Sequence, residues 1–293
     1  MPDQTIELPL EVLTAYRAET FLLPPYQPLI NPDQALRWVN SRGFVFFWPI
    51  KGILLPSLWM AVVGDRPVGD NHDDPGHITW GWKDDALGKR RWYYAKMLRK
   101  KATLISLEIA PFFYALTENY GSPEEDYLLM YEQGRMTLAA KQVYEAILKE
   151  GALNTIDLRK KARLSSTQSD TEFNRALEVL QADMKILPVG IAEAGAWRYS
   201  FIYDLVPRHY PELPEQARVI SEADAREKLV WLTFRSLGAV TVKELQKLFG
   251  WSPELLQRTL KKMLEKGTIR SDFVFSGVNE TVLTLGELAS PDK

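Results

Sequence analysis

The stretch Gly151-Ala152-Leu153-Asn154-Thr155-Ile156-Asp157-Leu158 returns later as Gly238-Ala239-Val240-Thr241-Val242-Lys243-Glu244-Leu245, with glycine, alanine, an acid and leucine in register. An internal repeat of this kind says that one folding unit is used twice. Ahead of the first copy, Thr137 to Leu148 places Ala139, Val143, Ala146 and Ile147 at helical spacing. Beyond it, Ser169 and Glu172 have the spacing of a capping box, and Phe173, Ala176, Leu177, Leu180 and Met184 form one apolar stripe. In the second copy Ser252-Pro253 supplies an N-cap and a first-turn proline, followed by a stripe of Leu256, Leu260, Met263 and Leu264. Each of these helices runs on into a hairpin. Lys185 to Ile191 and Trp197 to Leu205 flank a turn at Glu193-Ala194-Gly195, and Ile269 to Ser276 and Thr281 to Leu285 flank one at Gly277-Val278-Asn279. Three helices followed by a two-stranded hairpin is the winged-helix plan. The predicted fold class is therefore α+β, mainly α, with tandem winged-helix domains at 137–210 and 211–293 that carry short β-hairpin wings.

The N-terminal third is less regular. Leu10 to Leu22 and Pro32 to Asn40 read as helices, and Phe44 to Trp48, Ile53 to Leu55 and Trp59 to Val63 as strands. We read 1–70 as a degenerate winged-helix-like N-terminal domain with one helix lost to Leu23-Pro24-Pro25-Tyr26; an unrelated arrangement fits the pattern equally well. The segment 71–136 is predicted to be mostly helical and is rich in aromatics, and Pro207 to Pro214 reads as a linker. Phe44 to Gly64 carries one charge, Lys51, but Pro49, Gly52 and Pro56 cut it into strand-length pieces, so buried strands are expected there and no membrane span. Met1-Pro2-Asp3-Gln4 opens without the basic and apolar runs of a signal peptide. The absence of cysteine excludes disulfides, thiolate metal sites and a cysteine nucleophile, and fits a cytoplasmic protein.

Three segments resemble AlkZ-related proteins of the AlkZ/YcaQ-like winged-helix DNA glycosylase superfamily. They are SLWMAVVGDRPV (from Ser57), HITWGWKDDALGKRRWYYAKMLRKKATLISLE (from His77) and ILPVGIAEAGAWRYSFIYDLV (from Ile186). The resemblance runs from about Asn31 to the end. It implies tandem winged helices around a DNA channel and excision of alkylated or crosslinked bases. It also implies a catalytic strand motif, Gln-apolar-Gln or Gln-apolar-Asp, near the end of the first winged helix. Alternation along a strand puts two such side chains on one face, where they can position a water and offset the cationic sugar of the transition state. Here Phe46 and Trp48 occupy those positions, and no Gln, Asn, Asp or Glu lies between Phe44 and Met60. Neither side chain can act as a general base. No catalytic residue is assigned: the resemblance supports the fold and DNA contact, and not the reaction.

With 36 basic against 38 acidic residues and a net charge of -2, contact with nucleic acid must use local patches. The densest is Lys89, Arg90, Arg91, Lys96, Arg99, Lys100 and Lys101, interleaved with Trp92, Tyr93 and Tyr94. Read as a helix, it offers cations to phosphates and rings to bases, or else a solvated face with its aromatics in the core. Arg159, Lys160 and Lys161 belong to the second helix of the first repeat; the helix after it carries Asp170, Glu172 and Glu178 against Arg175, a poor base reader. The second repeat is better supplied, with Arg258, Lys261 and Lys262. His72 and His77 stand in the loop Asn71 to His77, which suits a metal, an acid–base pair or an ordinary Asp-Asp-Pro-Gly turn, and with Trp80 and Trp82 they are candidates for a pocket. The wider aromatic set of Trp48, Trp59, Trp92, Phe112, Phe113 and Tyr114 walls such a pocket or fills a core. No metal and no cofactor is expected. Three readings stand: a binder of double-stranded DNA without base excision, a divergent glycosylase using His72, His77 or an acid, or a module for a protein partner.

Overall fold

The computed structural model describes residues 6–71, 73–195, 198–277 and 281–289. The predicted hairpin positions Trp197, Val278 and Asn279, the opening Met1 to Gln4 and the candidate His72 lie outside the described residues. The chain divides into two compact units, Met1–Thr79 with Ala223–Lys293, and Trp80–Glu222. No helix among the described residues is long and apolar enough to cross a membrane.

The first unit begins with β1 (Ile6–Leu8), α1 (Leu10–Phe21), α2 (Pro32–Arg42), β2 (Phe44–Phe46) and α3 (Leu58–Val63). Asn31 caps α2 by accepting from the Gln34 amide, with Pro32 in the first turn. The expected strand at Trp59 to Val63 is instead α3. Its residues are apolar on every side and show no period, and Ser57 decides the matter by accepting from the Met60 amide as a helix cap.

The second unit continues with α4 (Ile78–Leu87), β3 (Tyr93–Lys96), β4 (Ala102–Ile105), α5 (Ala110–Tyr114) and α6 (Asp126–Glu132). The first repeat follows as α7 (Leu138–Glu150), β5 (Leu153–Asn154), α8 (Thr155–Lys161), α9 (Asp170–Ala182), β6 (Ile186–Ala192) and β7 (Ser200–Leu205). Two short helices close the unit, α10 (Val206–His209) and α11 (Leu213–Arg218). They replace the expected linker at Pro207 to Pro214, because Tyr210 and Leu213 are buried and Pro207 and Pro214 sit in first helical turns, where a missing amide costs nothing, while Pro211 stands in the turn between the helices. The segment 71–136 is likewise not mostly helical, since the β3–β4 hairpin runs through its middle.

The chain then returns to the first unit with α12 (Glu222–Leu237), β8 (Ala239–Val240), α13 (Val242–Phe249), α14 (Pro253–Glu265), β9 (Ile269–Arg270), β10 (Phe273–Phe275) and β11 (Leu283–Leu285). Both copies run helix, short strand, two helices, strand and closing strand, the second with β10 added between its last two strands, and in both the short first strand pairs antiparallel with the last, Leu153 opposite Tyr203 and Val240 opposite Leu283.

The residues in register do the same work twice. Gly151 and Gly238 both follow a helix with positive φ, 87° and 74°, a conformation open to glycine. Asn154 and Thr241 are N-caps, and the shared acid stands three residues on. Asp157 accepts from the Asn154 side chain, and Glu244 completes a capping box with Thr241. Leu158 and Leu245 are buried. The first stripe, Phe173, Ala176, Leu177, Leu180 and Met184, is buried throughout. In the second, Leu256, Leu260 and Met263 are buried and Leu264 is exposed. Ser169 makes no capping bond to its helix, because its hydroxyl donates to the Ser166 carbonyl instead.

The N-terminal elements belong to the same unit as the second repeat for a definite reason. A helix ends with carbonyls that have no partner inside it. At the end of α12, the Arg235 carbonyl accepts from the Tyr16 hydroxyl (2.9 Å) and from Arg42 (3.1 Å). Ser236 accepts from the Thr20 hydroxyl (2.7 Å) and Leu237 from Arg17 Nε (3.0 Å), while Arg17 Nη2 reaches on to Ala239 (2.7 Å). The two guanidiniums also place positive charge at the negative end of the helix dipole. Phe21 and Met60 join the apolar core of Val230, Phe234, Leu245, Leu256 and Leu260, and β1 pairs parallel with β10, Ile6 opposite Phe273.

Replacing Arg17 with Met keeps most of its apolar stem but leaves two carbonyls without their charged donor. Hydrogen bonds to charged groups contribute about 1.5–3 kcal/mol, so Arg17→Met should lower the unfolding free energy by about 2–3 kcal/mol in a denaturant titration. A loss below about 0.5 kcal/mol, the range of an ordinary surface substitution, would contradict this role.

Candidate nucleic-acid interface

The densest cation cluster is a hairpin and not a helix. Tyr93 to Lys96 pairs with Ala102 to Ile105, Tyr93 opposite Ile105 and Lys96 opposite Ala102. Arg90, Arg99 and Lys100 have φ of 49°, 54° and 57°, values that no right-handed helix tolerates. Trp92, Tyr93 and Tyr94 are all buried, so the rings serve the core and do not stack on bases. The cations separate into two groups. Lys96 is held by Glu178 at 3.0 Å, and its amide donates to Gln181 Oε1. Lys89 and Arg90 are exposed before β3, with Arg90 over the Tyr210 ring at 5.9 Å, and Arg91 is half-buried.

Arg99, Lys100 and Lys101 form the hairpin tip. All three are exposed, and none has an ion-pair partner among the described residues. The tip is closed by backbone bonds from Lys100 to Met97 (3.1 Å), Lys101 to Leu98 (3.0 Å) and Met97 to Lys101 (3.1 Å). Two adjacent cations sit in the left-handed region, which costs a residue with a side chain about 1–2 kcal/mol relative to glycine. Leu22 at a helix C-cap and the buried Met184 adopt the same region, so the conformation alone assigns the tip no function.

The remaining predicted cations are mostly committed. Arg159 is paired with Asp170 and donates to the Leu164 carbonyl, Lys160 lies 3.5 Å from Asp157, and Lys161 lies 3.0 Å from Glu150. On α14, Lys262 is held by Glu227 (2.9 Å) and Asp224 (3.2 Å), and Lys261 stands 3.9 Å from Glu265. Arg258 is exposed and has no ion-pair partner among the described residues.

At the positions of the family's catalytic motif, Phe46 is fully buried in β2, and the strand ends there. Trp48 lies beyond the strand, half-buried, with its ring 5.3 Å from Phe47. The two side chains neither carry a polar group suited to the chemistry nor share a strand face.

In the loop before α4, Asp74 is fully engaged. It accepts from both Arg66 nitrogens (2.8 and 2.6 Å) and from the Gly76 amide (2.7 Å). The Arg66 hydrogen bonds, chiefly, hold its carboxyl at about 2, below the ordinary 3.8. Gly76 must be glycine, since a Cβ there would stand 2.4 Å from the Trp59 ring. His77 is half-buried with its ring 5.8 Å from that of Trp59, and the Trp59 indole donates to the Arg66 carbonyl at 3.1 Å. This is turn architecture around a tryptophan. Among the described residues no group of three or more acids and histidines could hold a metal.

Trp82 is buried with the core, as are Trp59, Trp92, Phe113 and Tyr114, whereas Trp80 is 40% exposed. Below Trp80 lies Lys83, which the sequence reading passed over. Its ammonium meets Asp84 at 2.7 Å, donates to the Tyr199 hydroxyl at 2.9 Å, and lies 4.5 Å from the Phe201 ring centroid. Tyr199 in turn donates to Asp84 at 3.0 Å. Burial pushes the Lys83 ammonium pKa down and Asp84 draws it back up. With only 4% of its side chain exposed, Lys83 fastens the β6–β7 hairpin to α4 and is out of reach of phosphate. A lysine three residues after a tryptophan and next to an aspartate was the available signal, but Tyr199 and Phe201 come from far along the chain.

The family described as AlkZ related matches residues 29–250. The solved structure of Streptomyces sahachiroi DNA glycosylase AlkZ is similar, with a TM-score of 0.59 and 14% identity over 97% of this chain and 73% of that one. No curated protein matches the sequence.

The Arg66–Asp74 pair makes a pH prediction. Because the folded carboxyl lies below its unfolded value, its contribution is complete above the ordinary 3.8 and is lost as pH falls through about 2. The Trp59 indole resonance should therefore titrate across that window, and Asp74→Asn should remove the transition. The same titration in both proteins would place its origin elsewhere.

Proposed function

We propose, from the premise that the chain belongs to the AlkZ-related family, that it binds double-stranded DNA through the phosphate backbone and does not excise bases by the family's strand motif. The observation that carries this reading is the β3–β4 tip, where Arg99, Lys100 and Lys101 are exposed and without ion-pair partners among the described residues. Phosphate neutralisation by such side chains supplies sequence-independent affinity. We read the two copies of the repeat as tandem winged helices, at 137–210 and 211–293, and the N-terminal segment 1–70 as a degenerate third. The similar structure with the same fold is that of a DNA glycosylase, which supports DNA as the partner.

The paired cations of α8 and the acids of α9 argue against base reading by the first repeat, so contacts that position the duplex are the expected kind. The fully buried Phe46 supports a silent strand. A protein that holds damaged or distorted duplex without cutting it fits both observations, and we place it in the cytoplasm.

Fluorescence anisotropy with plain, abasic and alkylated duplexes tests the reading. Affinity should fall steeply with salt. Each phosphate contact contributes about 0.9 to the slope of log affinity against log salt, so the triple variant R99Q/K100Q/K101Q should flatten it by about 2–3. An unchanged slope, or no binding to any of the three duplexes at low salt, would overturn the proposal. Incubation with alkylated DNA should release no free base; release with formation of abasic sites would instead establish a divergent glycosylase.

A further inference from the structure

α10 and the tyrosine that follows it tie distant parts of the second unit together. Arg208 donates to the Ile147 and Leu148 carbonyls at the end of α7 (3.2 and 3.0 Å). The Tyr210 hydroxyl donates to the Trp92 carbonyl just before β3 (3.0 Å), and its ring lies 5.9 Å from that of Tyr93. Between these two anchors stands His209, edge-on to the Tyr210 ring at 4.7 Å.

The surroundings of His209 suit only its neutral form. The Leu87 carbonyl accepts from the ring, whereas Nε2 is buried and has no hydrogen-bond partner among the described residues. A neutral imidazole can keep a bare lone pair at that nitrogen. An imidazolium carries a proton on both nitrogens, so one N–H would be buried with nothing to accept it. Charge adds to the mismatch. The charged groups facing the ring are Arg90 from before β3, Asp204 from β7 and Glu212 from between α10 and α11. Asp204 is engaged by Arg208 at 2.6 Å and by the Leu205 amide at 2.8 Å, and Glu212 is exposed. No acid stands within ion-pair reach of the ring among the described residues. Arg90 lies over the same Tyr210 ring at 5.9 Å and has no acid partner there either.

We propose that His209 is a proton-sensitive latch: neutral, it holds α10 against the start of the β3–β4 hairpin, and on taking up a proton it releases that contact. Burial first, and then Arg90, push its pKa below the ordinary 6.5, with Asp204, the Leu87 carbonyl and Glu212 opposing them. The open form takes the proton at the ordinary value and the closed form only at lower pH. The latch is therefore complete above 6.5 and weakens as pH falls below it. The weakening approaches about tenfold per pH unit until the closed form itself titrates.

Amide exchange of the full chain, corrected for the intrinsic pH dependence of exchange, reads the latch at Tyr210 and Leu213. Their amides donate to the Val206 and Tyr210 carbonyls at 2.8 and 3.1 Å. Protection there should fall about fivefold or more between about pH 7.5 and about pH 5.5, and the His209 ring resonances should titrate below 6.5. His209→Gln, neutral at every pH, should show no such fall. Arg90→Gln, at an exposed position, should raise the pH at which His209 titrates and shrink the fall. A His209 titration at or above 6.5, equal protection at both pH values, or the same fall in His209→Gln would each overturn the proposal. Should that variant not fold, an Arg90→Gln chain whose His209 titrates unchanged overturns it instead.

Discussion

The C-terminal end of α12 is the point on which the first unit depends. Its last carbonyls have no acceptor role left inside the helix, and covering them without donors would be costly. Tyr16, Arg17 and Thr20 from α1 and Arg42 from α2 supply the missing donors. The N-terminal segment is thereby a structural part of the second repeat's unit, although 193 to 220 residues separate the partners. Burial pushes the Arg17 and Arg42 pKa values down, so these arginines are set into the fold and are not surface charge awaiting a ligand.

The same distinction governs the candidate interface. A count of lysines and arginines treats every cation alike, but a cation held by an acid has part of its field cancelled and must give up that partner to meet phosphate. Lys96, Arg159, Lys161 and Lys262 are held in this way. Arg99, Lys100 and Lys101 form no ion pair among the described residues, although the Lys100 charge draws the Asp183 carboxyl pKa down, and Arg99 and Lys100 sit in the left-handed region, which carries a cost of its own. That contrast, more than local charge density, is what singles out the β3–β4 tip.

Much of the repeat was legible in the sequence because its signals are local. A glycine with positive φ, a cap and its acid three residues on, and a stripe at helical spacing each involve neighbours along the chain, and the register between copies exposes them. The segment 89–101 was misread for a related reason. Consecutive lysines and arginines with three aromatics suit a helix by composition, whereas burial of Trp92, Tyr93 and Tyr94 together with the left-handed Arg90, Arg99 and Lys100 requires a hairpin. The roles of Arg17 and Lys83 were not legible at all, since each is defined by residues brought near only by folding. Phe46 and Trp48 show the reverse case: the absence of polar groups was plain from the sequence, and the structure adds that Phe46 is fully buried.

The central claim is that DNA phosphates meet the β3–β4 tip. Amide hydrogen exchange measured with and without a plain duplex at low salt addresses it most directly. The account predicts slowed exchange in the peptide spanning Met97 to Lys101 and unchanged exchange in α5 and α11. Unaltered exchange at the tip under conditions where the duplex is bound would contradict it.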